Sequence, residues 1–278
     1  MAGNYDEKAI LILSDMEGVS GLIDKRLVYS GEPLWRDYGR YLLTEDINAV
    51  ASALYSGGIK RIYLSESHNF GKNTIMEYLL PFVTVLPPHS AQTNIQGKTF
   101  WEQLYRERNI KGAILIGCHA MEGANGFFPH SWDSKVFEYI KVNGEAFGEI
   151  GLTAGLLGYY DIPLIAVIGD EAAKEARKII PEITGITIKR TEKDNWLRVL
   201  PPDVAHKLIS KKIYESLENI LNVKPLRDPK KLKKYEPEQF EKLITEALKI
   251  INDEIAIKPN CPVDDDGEAV NHFVISHL

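Results

Sequence analysis

Cysteine is nearly absent from this chain: among 278 residues only Cys118 and Cys261 occur, far apart in sequence. Such a pair builds no disulfide framework and agrees with a reducing compartment. Long apolar runs are missing as well. No window approaches about 18 unbroken apolar residues, so no membrane-spanning helix and no membrane partner are expected. The N-terminal MAGNYDEK is acidic and polar, without the basic and apolar regions of a signal peptide. Cytoplasmic residence is the expectation. Positive charge is not in excess: 33 Lys and Arg against 39 Asp and Glu leave a net charge of −6. That argues against a nucleic-acid surface, because phosphate binding needs a basic field. Also lacking are G-x-G-x-x-G, a P-loop, a G-x-S-x-G elbow and H-E-x-x-H. Gly18-Val19-Ser20-Gly21 falls one residue short of a nucleophile elbow. Nucleotide cofactor binding and serine hydrolysis therefore lack their usual signatures.

What is present is strand–helix alternation. AILILSDMEG, IKRIYLSESHN, FVTVLPP, GAILIGCHA and IPLIAVIGD read as strands, several of them apolar on both faces, as in a buried parallel sheet. RYLLTEDINAVASALYSGG has helical spacing and ends on Gly57-Gly58. TFWEQLYRERN reads as a short amphipathic helix, and Asp170 as the cap of the helix DEAAKEARKII. VFEYIKVNGEAFGEIGL reads as a strand, a turn at Asn143-Gly144, and a return into a helix. The pattern predicts an α/β protein: a three-layer αβα domain with a mostly parallel sheet over residues 1–186. From 187 to 278 a smaller, helix-rich C-terminal α+β part is expected, with amphipathic helices over AHKLISKKIYESLENIL and PEQFEKLITEALKIINDEI. The basic connector between those two reads as a solvated face, since no aromatic platform is interleaved with its charges.

The chemistry starts at SDMEGVSG, directly after the first strand. Asp15 and Glu17 stand two apart, a spacing that puts side chains on one face of extended backbone about 6.5 Å apart. Two acids so placed repel each other unless a cation sits between them. Strand ends are where ligands gather in open α/β sheets, and His68 and His119 fall at the ends of two further strands. Alone, each histidine reads as a surface or hydrogen-bonding residue. Beside the two acids they read as metal ligands, and imidazole with carboxylate suits Zn²⁺ or Mn²⁺. Glu149 opens a helix, where the dipole favours an acid in any case. Its flanking Gly144, Gly148 and Gly151 also suit a crowded site. His130, in GANGFFPHSW, lies in a loop that reads as a lid or pocket wall; an unligated histidine there can carry protons or polarise a carbonyl. Cys118 reads as a small buried hydrophobe, and Asp264-Asp265-Asp266-Gly267 as a solvated turn rather than a Ca²⁺ loop.

Taken in order, Asp15-Met16-Glu17-Gly18, Ser67-His68, Gly117-Cys118-His119-Ala120, His130-Ser131 and Gly148-Glu149-Ile150-Gly151-Leu152 resemble the D-aminopeptidase family of M55 metallopeptidases. The resemblance runs from about residue 9 to 190. It implies two Zn²⁺ per chain, held by Asp15, Glu17, His68, His119 and Glu149, with His130 as the catalytic histidine. It implies a metal-dependent aminopeptidase cutting the N-terminal amide bond of short peptides, D-amino-acid-containing ones included. It also implies a three-layer α/β fold with a smaller C-terminal part, assembled as a homodecamer whose channel admits short peptides. Five ligands for two ions leave open coordination positions, as catalysis requires. Two departures stand out: Glu66 takes the place of the usual Asp before Ser-His, and Met121-Glu122 follows the second histidine where a basic residue is common. The alternatives are another dinuclear hydrolase, a deacetylase or phosphoesterase, and a protein that uses its metals only to bind peptides.

Overall fold

The structure, a computed structural model, describes residues 8–69, 71–86, 109–131, 137–139, 141–142, 145–146, 148–193, 196–217, 219, 222–226 and 256–257. The expected helices over 99–109 and 237–255 and the turn at Asn143-Gly144 lie outside them, Asn109 excepted, as do Cys261 and the aspartates at 264–266.

The apolar runs become strands: β1 (Ala9–Ser14), β2 (Arg61–Glu66), β3 (Val83–Val85) and β4 (Ile110–Cys118). After them come the short β5 (Phe137–Tyr139), β6 (Lys141–Val142) and β7 (Glu145–Ala146), then β8 (Leu164–Gly169) and β9 (Thr184–Thr187). A hairpin follows, β10 (Lys189–Thr191) with β11 (Leu197–Val199), and β12 (Ala256–Ile257) pairs with β5. The helices are α1 (Arg40–Ser56), α2 (Glu149–Tyr159), α3 (Ala172–Ile179) and α4 (Pro202–Ser216). Six strands form one sheet in the order β3-β2-β1-β4-β8-β9, and every pairing in it is parallel. This is the expected α/β architecture. β9 is an addition to the sequence reading, because Thr-Gly-Ile-Thr offers no apolar run.

Every residue of β1 and of β8 is buried, which requires cover on both faces of the sheet. α1 supplies Leu42, Leu43, Ile47, Val50 and Leu54, all at most 1% exposed. α4 lies along α1, burying Ala205, Ile209 and Ile213 at a four-residue repeat. Ser210 Oγ donates to Ala49 O across that contact at 3.1 Å. Among the described residues no helix is long and apolar enough to cross a membrane.

The strand order fixes where a ligand can sit. From β1 the chain moves outward through β2 to β3, then returns to place β4 on the other side of β1. The connections therefore diverge between β1 and β4 and leave a crevice at the carboxyl ends of those strands. Asp15 and Glu17 follow β1, His68 follows β2, and His119 follows β4.

Candidate metal centre

Backbone bonds draw the strand ends together. Ser67 N donates to Ser14 O at 2.8 Å, Asp15 N to Ile116 O at 2.8 Å, and Gly18 N to Gly117 O at 2.7 Å. The approach leaves no room for side chains. A Cβ at Gly18 would overlap the carbonyl of Cys118, and one at Gly117 would overlap that of Asp15. Gly117 also sits at φ +75°, a region that L side chains rarely adopt. Two glycines thus let the acid-bearing loop rest on the strand that carries His119.

The side chains converge above this contact. His68 Nε2 stands 3.3 Å from Glu17 Oε1, and His119 Nε2 lies 3.5 Å from Asp15 Oδ2 and 3.3 Å from Glu149 Oε1. Glu149 is the first residue of α2, as its sequence context predicts. The potential ligand atoms form two sets, Asp15 with Glu17 and His68, and His119 with His130 and Glu149; within each set they lie inside 4.8 Å of one another. The Asp15–His119 contact joins the sets. His130 Nε2 is 4.0 Å from Glu17 Oε1, and its ring stacks on that of His119 with centroids 3.9 Å apart and planes 4° from parallel. The loop closes on itself to achieve this, with His130 N donating to Ala120 O at 3.2 Å.

Hydrogen bonds set the tautomers. His119 Nδ1 faces Ala120 O at 3.0 Å, and His130 Nδ1 faces Phe128 O at 2.9 Å. A carbonyl only accepts, so each Nδ1 carries the proton, and each Nε2 presents its lone pair to the carboxylates when the ring is neutral.

The electrostatics are those of a site built around positive charge. Burial, then repulsion from Glu17, pushes the Asp15 carboxyl well above its usual range. Burial also opposes the Glu17 charge, but His68, His119 and His130 outweigh it and hold that carboxyl well below its usual range. Burial works against the His68 cation; Glu17 and Asp15 reverse the effect and raise it to about 9. His119 is raised well above 6.5, its burial overcome by Glu149 and Asp15. His130 moves the other way, lowered by burial and by the stacked His119. Glu17 Oε2 is buried and has no hydrogen-bond partner among the described residues. Such an atom costs about 1–3 kcal/mol or more unless a cation meets it. Three carboxylates and three imidazoles in this space form the nitrogen–oxygen donor set that divalent zinc takes.

An outer layer holds these groups. Glu66, buried at the end of β2, accepts Lys72 N at 2.7 Å, Thr74 N at 2.6 Å and Thr74 Oγ1 at 2.7 Å, so it clamps the loop carrying His68. Its departure from Asp therefore falls on a supporting residue. Asp170 stands one residue before the N-cap of α3, which is Glu171 and makes no side-chain cap bond; Asp170 accepts Ala172 N at 2.9 Å and also receives Phe127 N at 3.4 Å from the histidine loop. Glu175 of α3 fills the space where a Gly148 side chain would stand, just before Glu149. Lys189 escapes any reading of the sequence. It is 2% exposed, and its Nζ donates to Glu17 O at 2.7 Å and Leu22 O at 2.6 Å. Nothing local in Ile-Lys-Arg-Thr marks a buried lysine. Cys118 is buried with its thiol pushed up by that burial, which fits an inert packing residue. Glu122 is half-buried in the histidine loop, and its N–H reaches Ser131 Oγ at 3.4 Å.

The chain is similar to known proteins. The family model described as D-aminopeptidase, of the M55 peptidases, matches residues 9–243. A D-aminopeptidase from Bacillus subtilis (strain 168) is 33% identical over 218 residues, spanning 77% of this chain and 76% of that protein. A solved structure described as the Zn-dependent D-aminopeptidase DppA from Bacillus subtilis, a self-compartmentalizing protease, aligns with a TM-score of 0.69. Its sequence is 31% identical, and the alignment covers 79% of this chain and 78% of that one.

Proposed function

The chain belongs to the D-aminopeptidase family of M55 peptidases, and from that premise we propose that it is a zinc aminopeptidase with a dinuclear site, hydrolysing the N-terminal amide bond of short peptides. The observation that carries the reading is the meeting of Asp15, Glu17, His68, His119 and Glu149 at the carboxyl edge of three adjacent strands, with His130 stacked beside them. These five residues would hold the two ions, with Asp15, in contact with His119 and next to Glu17, as the shared ligand. Zinc so held supplies Lewis acidity toward a scissile carbonyl and makes a water acidic near neutral pH.

The remaining work falls to the chain's own side chains. His130, with Nδ1–H committed to Phe128 O, is left with a basic Nε2 that its surroundings hold neutral. It is the group proposed to take and return a proton at the scissile bond, a role worth about 10²–10⁴-fold in rate. D-residues at the peptide's N-terminus are included in the proposed substrates, in keeping with the names of both Bacillus relatives. Assembly as a homodecamer acting in the cytoplasm completes the reading; a self-compartmentalizing structural relative supports an assembled form.

The test pairs metal content per chain with release of free amino acid from D-Ala and L-Ala peptides and amides on the same zinc-loaded sample. Two zinc ions with amino-acid release support the proposal. Tight peptide binding without turnover, or phosphate release from phosphoesters in place of amino-acid release, overturns it.

A further inference from the structure

The loop that carries His68 does not have a shape its own residues favour. After His68 the backbone passes through Asn69 at φ +49° and Lys72 at φ +66°, a left-handed region that residues other than glycine uncommonly adopt. Such a loop keeps its form only where bonds from outside determine it. Glu66 supplies those to residues 72 and 74. The others come from the opposite side, from the approach to α1.

A wide helical turn, Trp35–Gly39, precedes that helix, and Arg40 N–H bonds Trp35 O five residues back. Widening the turn from four residues to five sets Arg40 over Trp35, with the guanidinium carbon 5.5 Å from the ring centroid. Both side chains reach the His68 loop. The indole Nε1 of Trp35 donates to Asn73 Oδ1 at 3.0 Å, and Arg40 Nη2 donates to the neighbouring Thr74 O at 2.9 Å. Asn73 passes the contact on: it is fully buried, and its Nδ2 donates to His68 O at 2.8 Å. An indole N–H only donates and a backbone carbonyl only accepts, so the two bonds together determine how the Asn73 amide is turned. Trp35 is half-buried, at the outer end of this chain of bonds.

We propose that Trp35 is a positioning residue for His68: through Asn73 it fixes the backbone from which the imidazole reaches the ion held with Asp15 and Glu17. The proposal rests on the zinc reading of the site. It concerns one ion of the two, because the chain of bonds ends at His68, in the set with Asp15 and Glu17, and does not run through His119 or Glu149. Replacing the indole by a phenyl ring keeps an aromatic group in the space. It leaves Asn73 Oδ1 buried without its donor and frees the amide to turn.

The experiment follows stepwise zinc removal by a competing chelator from wild type, Trp35→Phe, Asn73→Ala and the double variant. His68→Ala marks which step belongs to the set with Asp15 and Glu17. Direct partners of a metal ligand contribute about 10–100-fold to affinity, and Trp35, one bond further out, is expected to contribute about tenfold. Trp35→Phe should weaken that ion by this factor and leave the other unchanged. In the Asn73→Ala background the same substitution should have no further effect, since the bond through which it acts is already gone. Equal loss of both ions in Trp35→Phe, or loss of neither, overturns the proposal, as does a loss that persists in full beside Asn73→Ala. Should Asn73→Ala not be recovered folded, Trp35→Phe alone decides by which ion it weakens. A wild type that takes up no zinc, or a His68→Ala that keeps both ions as wild type does, fails the metal reading first and takes the proposal with it. Where both of those behave as expected and Trp35→Phe holds zinc like wild type, the proposal fails alone.

Discussion

The ammonium of Lys189 donates to the backbone carbonyl of Glu17, joining residues 172 positions apart in sequence. A second bond to Leu22 O and the face of Phe127, 4.9 Å from Nζ, complete its surroundings. Burial pulls this ammonium down to about 8 from 10.5, with Asp170, Asp46 and Glu17 opposing the shift. Lys189 is thus a buried strut from β10 to the loop that presents Asp15 and Glu17. Lys189→Met keeps most of the volume but strands two carbonyls. It is expected to lower stability by about 2–4 kcal/mol and to weaken zinc binding. Denaturant unfolding and zinc competition check both effects; unchanged values in the two assays would mean that the desolvation cost of the ammonium cancels its bonds.

Glu66 performs a similar task for His68. Its three accepted bonds fix residues 72 and 74, and Asn73 Nδ2 in turn donates to His68 O at 2.8 Å. Residues that orient a ligand typically contribute about 10–100-fold to metal affinity. Glu66→Ala is expected to fall in that range by zinc competition. Glu66→Asp, one methylene shorter, should recover part of the loss. Wild-type affinity in Glu66→Ala would reduce the clamp to a packing role.

Separate losses are expected from the acids and from His130. Asp15→Ala removes a proposed shared ligand, so bound zinc and turnover should vanish together. His130→Ala should keep at least most of the zinc while turnover falls about 10²–10⁴-fold, as expected for a proton carrier. Metal analysis beside initial rates distinguishes the two. Complete zinc loss in His130→Ala would make it a ligand, a role its place in the set with His119 and Glu149 also permits.

Much of this arrangement was legible in the residues themselves. The buried strands announce themselves as unbroken apolar runs, because a strand covered on both faces has no polar side to show. The positions of Asp15, Glu17, His68 and His119 then follow from strand ends alone. The supporting layer was not legible, for a physical reason. Lys189 and Asp46 sit among charged neighbours in Ile-Lys-Arg-Thr and Thr-Glu-Asp-Ile, and each reads locally as solvated. Their burial comes from segments distant in sequence, the residue 17–22 loop over Lys189 and α4 against α1. β9 and the β10–β11 hairpin escaped because short, half-polar strands carry almost no periodicity.

Asp46 gives the last prediction. This fully buried carboxylate of α1 receives Ser20 N at 2.8 Å, Ser20 Oγ at 2.5 Å and lies 2.9 Å from His206 Nε2 on α4. It ties the loop after β1, α1 and α4 together. The bond from Asp46 raises His206 above 6.5, against partial burial and with Glu45 and Asp203 adding to the rise. A folded-state pKa above the unfolded one means that the native state binds the proton more tightly. The stabilisation is therefore fully present below about pH 6.5 and is lost as pH rises through the folded value. His206→Gln keeps a neutral donor and removes the titration. The wild type is expected to exceed it in stability at roughly pH 5.5, with the difference fading at alkaline pH as the folded-state value is passed. Paired denaturant midpoints at the two pH values cancel titration common to both proteins. A difference that stays constant with pH would show that His206 bonds Asp46 as a neutral ring throughout, and that α4 is held to α1 without its charge.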